Sequence, residues 1–139
     1  MIIGYVINDI ATEKDHNTTV QLAMQAQRMG HRVLLMGVAD LCYTADGRMG
    51  AKAYEPPARA YRSGAAFMAA CRKVVPQRIS SADLDVLMLR NDPSDDLVQR
   101  PWAQQAGIIF GEVAATDGVL VLNDPASLAG ATNKMYFQH

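Results

Sequence analysis

The feature that most constrains this chain is a short apolar run that ends abruptly in charged residues and a proline. The run spans 84–89, and Arg90, Asn91, Asp92 and Pro93 follow it directly. A short, nearly all-apolar segment bounded by polar residues is typical of a strand buried on both faces, as in a parallel sheet. Pro93 lacks an amide hydrogen and disfavours helical geometry at Asp92, so the chain turns out of the sheet there. The run therefore predicts a central parallel strand.

The polar residues after this strand predict a binding edge. Arg90, Asn91 and Asp92 follow its carboxyl end, and ligands bind at that edge of open α/β sheets because loops and helix N-termini converge there. In the alternative interpretation, the three residues solvate a loop and cap the next helix. Position alone leaves both interpretations open.

Size and composition favour one globular domain. The chain has 139 residues, of which half are hydrophobic and 19% are charged, which suffices for a sizeable core and argues against disorder. No apolar run approaches the roughly 20 residues of a membrane-spanning helix. A net charge of −1 without a basic cluster argues against nucleic-acid binding. The N-terminus lacks a secretory signal, so we expect a soluble cytoplasmic protein with Cys42 and Cys71 reduced.

The first part of the chain predicts a strand, a helix and a second strand. Residues 2–7 form an apolar run, and Asn17 or Thr18 can cap a helix that ends at Gly30. Residues 31–38 then read as a second buried strand. This order is typical of a right-handed parallel crossover.

The middle of the chain does not continue this order of strand, helix and strand. Residues 41–44 and 49–54 flank an Asp-Gly turn, which predicts an antiparallel hairpin. Residues 58–62 are compatible with a further extended segment. Residues 63–75 fit a helix capped by Ser63, or a strand if tertiary pairing overrides propensity; the helix is our prediction.

A helix is predicted to begin near residue 96. Asp95 and Asp96 stand where N-caps belong, and carboxylates there also favour the helix dipole. Pro101 falls in the first turns or splits the helix, and an apolar stripe continues to Gly118.

The last elements repeat the pattern of strand, turn and helix. Residues 119–122 predict a third buried strand of the central type, and Asp124 with Pro125 predicts a short helix through Leu128, interrupted at Gly130. Together the elements predict a three-layer α/β domain with a mostly parallel sheet of at least four strands and an antiparallel hairpin insertion.

Strand-end carboxylates are one candidate for chemistry. Asp9, Asp92 and Asp124 each follow a predicted parallel strand, which could gather carboxylates at one edge as in phosphate-receiving domains. Capping and turn formation also explain each of them separately. The glycines of 47–50 do not fit a phosphate-binding loop, because no buried strand leads through them into a helix. Lys134, taken from its local sequence alone, reads as a solvated lysine.

Metal and thiol chemistry are not indicated. His16, His31 and His139 are scattered and lack ligand spacing with either cysteine, so we expect no zinc site. Cys42 and Cys71 both lie among apolar or small residues, which predicts small core residues and not nucleophiles.

Several short motifs occur in an order that points to one family. They are the opening strand with Asp9, the loop with Lys14 and Asp15, the stretches 26–30 and 36–41, residues 83–86 leading to 90–93, the stretch 122–128, and Asn133 with Lys134. Taken together, these motifs resemble the N-terminal domain of bacterial glutathione synthetase. The resemblance covers nearly the whole chain and is weakest between residues 55 and 80.

The resemblance implies a fold and an activity. Enzymes of that family join γ-glutamylcysteine to glycine with ATP and Mg²⁺ through an acyl phosphate. It implies that 1–131 form a Rossmann-like pre-ATP-grasp domain, which forms one wall of the substrate cleft and packs against its copy in a homo-oligomer. Residues 132–139 would begin the connection to an ATP-grasp domain. We expect this part alone to bind no cofactor and to be inactive.

The resemblance also implies site residues. Arg90, Asn91 and Asp92 match the loop that faces the peptide substrate, and Lys134 matches the lysine that reaches ATP. These roles suit the side chains, because a lysine offers a point charge to phosphate and an arginine offers a planar fork to a carboxylate.

Three departures from the family pattern leave the acceptor amino acid open. Asn91 stands where the family usually has lysine, Ser94 where it has a second proline, and Ile10 where proline is common. A ligase with a different acceptor is therefore one alternative. A free-standing binding or scaffold domain without catalysis is another, and a phosphate-receiving regulatory domain is a third.

Overall fold

The computed structural model describes residues 1–131, which form seven strands, four α-helices and short 3₁₀ turns. The strands are Ile2–Ile7 (β1), Arg32–Gly37 (β2), Leu41–Tyr43 (β3), Met49–Ala53 (β4), Gln77–Ser80 (β5), Val86–Leu89 (β6) and Leu120–Leu122 (β7). The helices are Thr18–Arg28 (α1), Gly64–Cys71 (α2), Ala106–Thr116 (α3) and Pro125–Ala131 (α4). None of these helices is long and apolar enough to cross a membrane.

The main sheet is parallel and has the strand order β2-β1-β6-β7. The chain passes from β1 through α1 to β2 on one side, and later returns as β6 on the other side of β1. The strand order therefore reverses between β1 and β6, which creates a topological switch point. The predicted parallel α/β fold is confirmed, and the run at 84–89 supplies one of its two internal strands.

A second, antiparallel sheet has the order β3-β4-β5. The predicted hairpin is confirmed, and Gly47 takes a positive φ of 80° in its turn. The strand β5 was not predicted, because its first residues are exposed and show no apolar alternation. Beyond β4, Tyr54 and Leu35 exchange backbone hydrogen bonds of 3.0 and 2.8 Å, which joins this sheet to the edge of β2. Residues 58–62 contain no strand.

Side chains from both faces of the parallel sheet form the core, and this gives the three predicted layers. Alternation along a strand sends successive residues to opposite faces. On one face Tyr5 and Leu35 cluster with Phe67 of α2 and with α1. On the other face Val6 clusters with residues of β4 and α3.

The segment 63–75, which fitted either helix or strand, forms a helix, but only over Gly64–Cys71. The Ser63 Oγ accepts a hydrogen bond of 3.2 Å from the amide of Ala66 and so caps α2. Cys71 of this helix lies in the core, and its burial raises the pKa of the thiol to about 12. The core prediction for Cys42 was wrong, because β3 is an edge strand that exposes it.

Two predictions about the last third of the domain were also wrong. The helix expected from residue 96 begins at Ala106, and two 3₁₀ turns, Pro93–Asp96 and Pro101–Gln104, precede it. Pro101 opens the second turn, where its missing amide hydrogen costs least. The strand β7 is not central: within residues 1–131 it pairs only with β6, and Leu120 and Leu122 are 58% and 42% exposed.

The final helix begins as predicted and ends later. Asp124 Oδ2 accepts a hydrogen bond of 2.7 Å from the amide of Ser127, and Pro125 takes the first helical position. The helix continues past Leu128 to Ala131, so Gly130 does not interrupt it.

Candidate functional site

The carboxyl ends of β1 and β6 lie side by side at the switch point and are tied together by one side chain. Asn8 follows β1, and its Nδ2 donates to the backbone oxygen of Asp92 at 2.8 Å. Its Oδ1 accepts from the amide of Asp92, also at 2.8 Å. The side chain of Asn8 therefore completes a strand-like pair of hydrogen bonds beyond the end of the sheet and fixes the loop after β6.

A buried ion pair secures the turn that follows this loop. Asp96 is 2% exposed, and its Oδ1 accepts from the Nε of Arg100 at 2.8 Å. The Nδ2 of Asn8 donates to the other carboxylate oxygen at 2.8 Å. Arg100 also reaches the backbone oxygen of Asn8 at 3.2 Å and Asp9 Oδ2 at 3.4 Å. Asp96, expected to cap a helix, instead fastens the 3₁₀ segment to the end of β1.

Arg90, the first of the predicted substrate residues, has its charge largely free. It is half-buried, and its Nε donates to Thr19 Oγ1 at 3.3 Å. Within residues 1–131 it forms no ion pair. Its remaining guanidinium donors are therefore available for a planar carboxylate.

The other two predicted residues lie in different surroundings. Asn91 is 4% exposed, and neither atom of its side-chain amide has a hydrogen-bond partner in the described part of the chain. Its Oδ1 lies only 2.5 Å from where a Cβ on Gly107 of α3 would stand. Asp92 is exposed and caps the next turn, accepting from the amide and the hydroxyl of Ser94 at 2.8 and 2.6 Å.

The three predicted residues thus do not form one cluster of side chains. Strand alternation carries Arg90 toward α1 and the neighbouring Asn91 toward α3. The predicted cofactor residue, Lys134, lies outside the described residues.

The strand-end carboxylates each have a local partner. Asp9 accepts from the amide of Ala11 at 2.8 Å, and Asp124 caps α4 through Ser127, which lowers the pKa of Asp124. Among residues 1–131, no group of three or more His, Cys, Asp or Glu side chains is placed to hold a metal ion.

A cleft of about 370 Å³ opens beside this edge, over the carboxyl ends of β1 and β2. The loops after these two strands line it, together with Tyr54 and Arg72; we call it the Asp40 cleft. Asp40 Oδ2 accepts from the amide of Gly37 at 2.9 Å, and partial burial raises the pKa of its carboxyl. Burial, together with the charges of Asp40 and Asp9, raises the pKa of Tyr54.

Asp40, Tyr54 and Arg72 had no individual role predicted from the sequence. The sequence contained a signal for Asp40, because this residue follows a predicted strand of the parallel sheet, as Asp9 does. The sequence contained no such signal for Tyr54 and Arg72, because only the tertiary structure brings them to this edge. Arg72 comes from the end of α2, and its Nε donates to the backbone oxygen of Ile10 at 3.1 Å.

Fold and edge together define an open α/β domain with a cleft at the carboxyl ends of its parallel strands, which is the edge where domains of this class bind their ligands. Comparison with known proteins agrees with this class. Residues 1–129 match the family described as "Prokaryotic glutathione synthetase, N-terminal domain", and the chain belongs to that family. The resemblance seen in the sequence is confirmed.

A curated relative gives the scale of this match. The chain is 31% identical over 142 aligned residues to the glutathione synthetase of Pseudomonas putida. The alignment covers 96% of this chain and 39% of the relative. The chain therefore spans about two fifths of that relative's length.

Proposed function

We propose that this chain is the N-terminal, substrate-side domain of a glutathione-synthetase-like ligase. In the complete enzyme, γ-glutamylcysteine and glycine are joined while ATP is converted to ADP and phosphate, with Mg²⁺ neutralising phosphate charge. Residues 132–139 begin the connection to an ATP-grasp domain, and the enzyme works in the cytoplasm. Family membership across residues 1–129 supports the reaction.

The observation that carries the substrate side of this proposal is the free charge of Arg90. An arginine that has no carboxylate partner within residues 1–131 and lies half-buried at the switch point matches the carboxylates of a peptide substrate in charge and geometry. Asn91 and Asp92 belong to the same loop and set its shape, one beneath α3 and the other as the cap of the following turn. Lys134 reaches the phosphates of ATP.

The second role we propose is oligomerisation through the β7 side of the sheet. Leu120 and Leu122 expose apolar surface on a strand that has a neighbour on one side only within residues 1–131. Exposed edges and apolar patches of this kind are typical of association surfaces. Sedimentation of the complete enzyme and of its Leu120→Lys variant tests this role: the variant should fall to a smaller assembly.

Kinetics of the complete enzyme test the reaction and the site residues. Arg90→Ala should raise the KM for γ-glutamylcysteine, and Lys134→Ala should raise the KM for ATP, both with folding intact. Arg59→Ala is the matched control, since Arg59 is exposed and lies outside the edge. Unchanged KM values in both variants would remove the site assignments.

The reaction itself is tested by product analysis. The complete enzyme should release ADP and phosphate only when γ-glutamylcysteine and an acceptor amino acid are both present. A product formed with another amino acid in preference to glycine would establish a ligase with a different acceptor. A native protein no larger than this chain, seen by immunoblot of source cells, would favour the scaffold role instead.

A further inference from the structure

The Asp40 cleft brings together two opposite charges, those of Asp40 and Arg72, and neither forms an ion pair with any residue of 1–131. Within residues 1–131, Asp40 forms no ion pair, and Lys52 attracts it only at longer range. Within residues 1–131 the carboxylate of Asp40 accepts one hydrogen bond, from the amide of Gly37 to Oδ2, so Oδ1 has no hydrogen-bond partner. A carboxylate held partly buried without a cation leaves a place for a positively charged ligand group.

The cation on the cleft wall is Arg72, an exposed residue whose guanidinium is held by two hydrogen bonds to the backbone. Its Nε and Nη2 donate to the backbone oxygens of Ile10 and Glu13 at 3.1 and 2.6 Å. These bonds fix the guanidinium plane but supply no negative charge, and Nη1 has no partner among the described residues. The fixed fork is therefore preorganised for a carboxylate that comes from outside the chain.

Size and lining also suit a small polar molecule. A volume of about 370 Å³ lies at the low end of ligand-binding clefts. The Tyr54 hydroxyl, also without a partner in the described structure, can donate or accept a hydrogen bond there. The neighbouring carboxylate of Asp9 differs from Asp40, because it already receives the amide of Ala11 and lies 3.4 Å from Arg100.

We propose that the Asp40 cleft binds the α-amino-acid head of a zwitterionic ligand, with the ammonium group at Asp40 and the α-carboxylate at Arg72. Identification of that ligand with the glutamyl end of γ-glutamylcysteine rests on the proposed function. The cleft lies beside the loop of Arg90, to which Asn8 connects it.

Three probes separate the two charges of the head: γ-glutamylcysteine, its N-acetyl derivative and its glutamyl α-carboxamide. The first readout is KM in the complete enzyme, and the second is the shift of backbone amide resonances when each probe is added. Asp40→Asn removes the charge while its amide oxygen can still accept from Gly37. Arg72→Gln removes the other charge and keeps a donor for the backbone of the loop.

We expect each charge-removing variant to weaken binding of γ-glutamylcysteine about tenfold, equivalent to about 1.4 kcal/mol. Asp40→Asn should leave the weak binding of the N-acetyl probe unchanged, and Arg72→Gln should leave that of the carboxamide unchanged. Asp46→Asn and Arg59→Gln are matched controls outside the cleft and should bind as the parent does.

Failure of this inference is distinct from failure of the proposed function. A complete enzyme that forms the tripeptide with the same KM in both cleft variants would overturn the cleft assignment and leave the ligase function intact. Equal affinity for all three probes would also overturn it. An enzyme without ligase activity that still binds L-glutamate in an Asp40-dependent way would support the cleft and contradict the function.

Discussion

Loss of Arg100 should destabilise the domain more than loss of any surface arginine. In Arg100→Met the side-chain stem is kept, but the carboxylate of the buried Asp96 loses both guanidinium contacts at 2.7 and 2.8 Å. Only the bond from Asn8 remains. Removing one partner of a buried pair costs about 3–5 kcal/mol. Arg100 is itself 26% exposed, so water can partly replace it and we expect the lower end, about 3 kcal/mol.

Urea unfolding followed by circular dichroism measures this loss. With an m-value of about 1.5 kcal/mol per molar, a loss of about 3 kcal/mol lowers the midpoint by about 2 M urea. Arg48→Met is the matched control, because its pair with Asp46 is 47% and 66% exposed and is worth about 0–1 kcal/mol. Adding Asp96→Asn to Arg100→Met should recover part of the stability by removing the unpaired charge. Equal midpoints for the two arginine variants would refute the reasoning.

Three further predictions concern packing, pH and thiols. Gly107→Ala places a Cβ 2.5 Å from Asn91 Oδ1 and should cost about 1–3 kcal/mol in urea unfolding; Asn91→Ala in the same chain should restore most of it. Burial raises the pKa of Asp40 in the folded protein. The contribution of this shift to the free energy of unfolding is therefore fully present below the unfolded pKa of about 3.9, and it is lost as the pH rises through the folded pKa. Asp40→Asn should therefore raise the urea midpoint at about pH 7 and leave it unchanged at about pH 3, while a raised midpoint at both would contradict this cause. Ellman's reagent at about pH 8 should modify exposed Cys42 at once and Cys71, with its pKa near 12, only after unfolding; rapid modification of both would contradict the buried position.

Much of the architecture was readable from the sequence because its signals are local. The apolar runs at 2–7 and 84–89 became the two internal strands. The Asp46-Gly47 turn formed the hairpin, since a glycine at positive φ closes it at no steric cost. Asp124 and Pro125 began the last helix through a cap and a preset φ.

The candidate site was readable only in outline. The edge itself followed from parallel topology, and Arg90 lies there without an ion-pair partner in the described part of the chain. The sequence did not show whether the side chain of Asn91 points to solvent or into the core, because this depends on how closely α3 approaches it at Gly107. The Asp96–Arg100 pair carried a four-residue spacing typical of helices, yet its partner Asn8 is 88 residues away in sequence.

By itself the sequence determined the order of the strands and helices apart from β5, and the parallel class of the main sheet, since these depend on residues near one another in the chain. It also determined the family, through motifs whose order extends along nearly the whole chain. Tertiary structure decided the edge position of β7, the pairing that makes β5 a strand and the late start of α3. It also brought Arg72 from α2 to the loop after β1, across 62 residues. The physical reason is that burial, pairing and charge compensation depend on distant segments, whose approach no local pattern encodes.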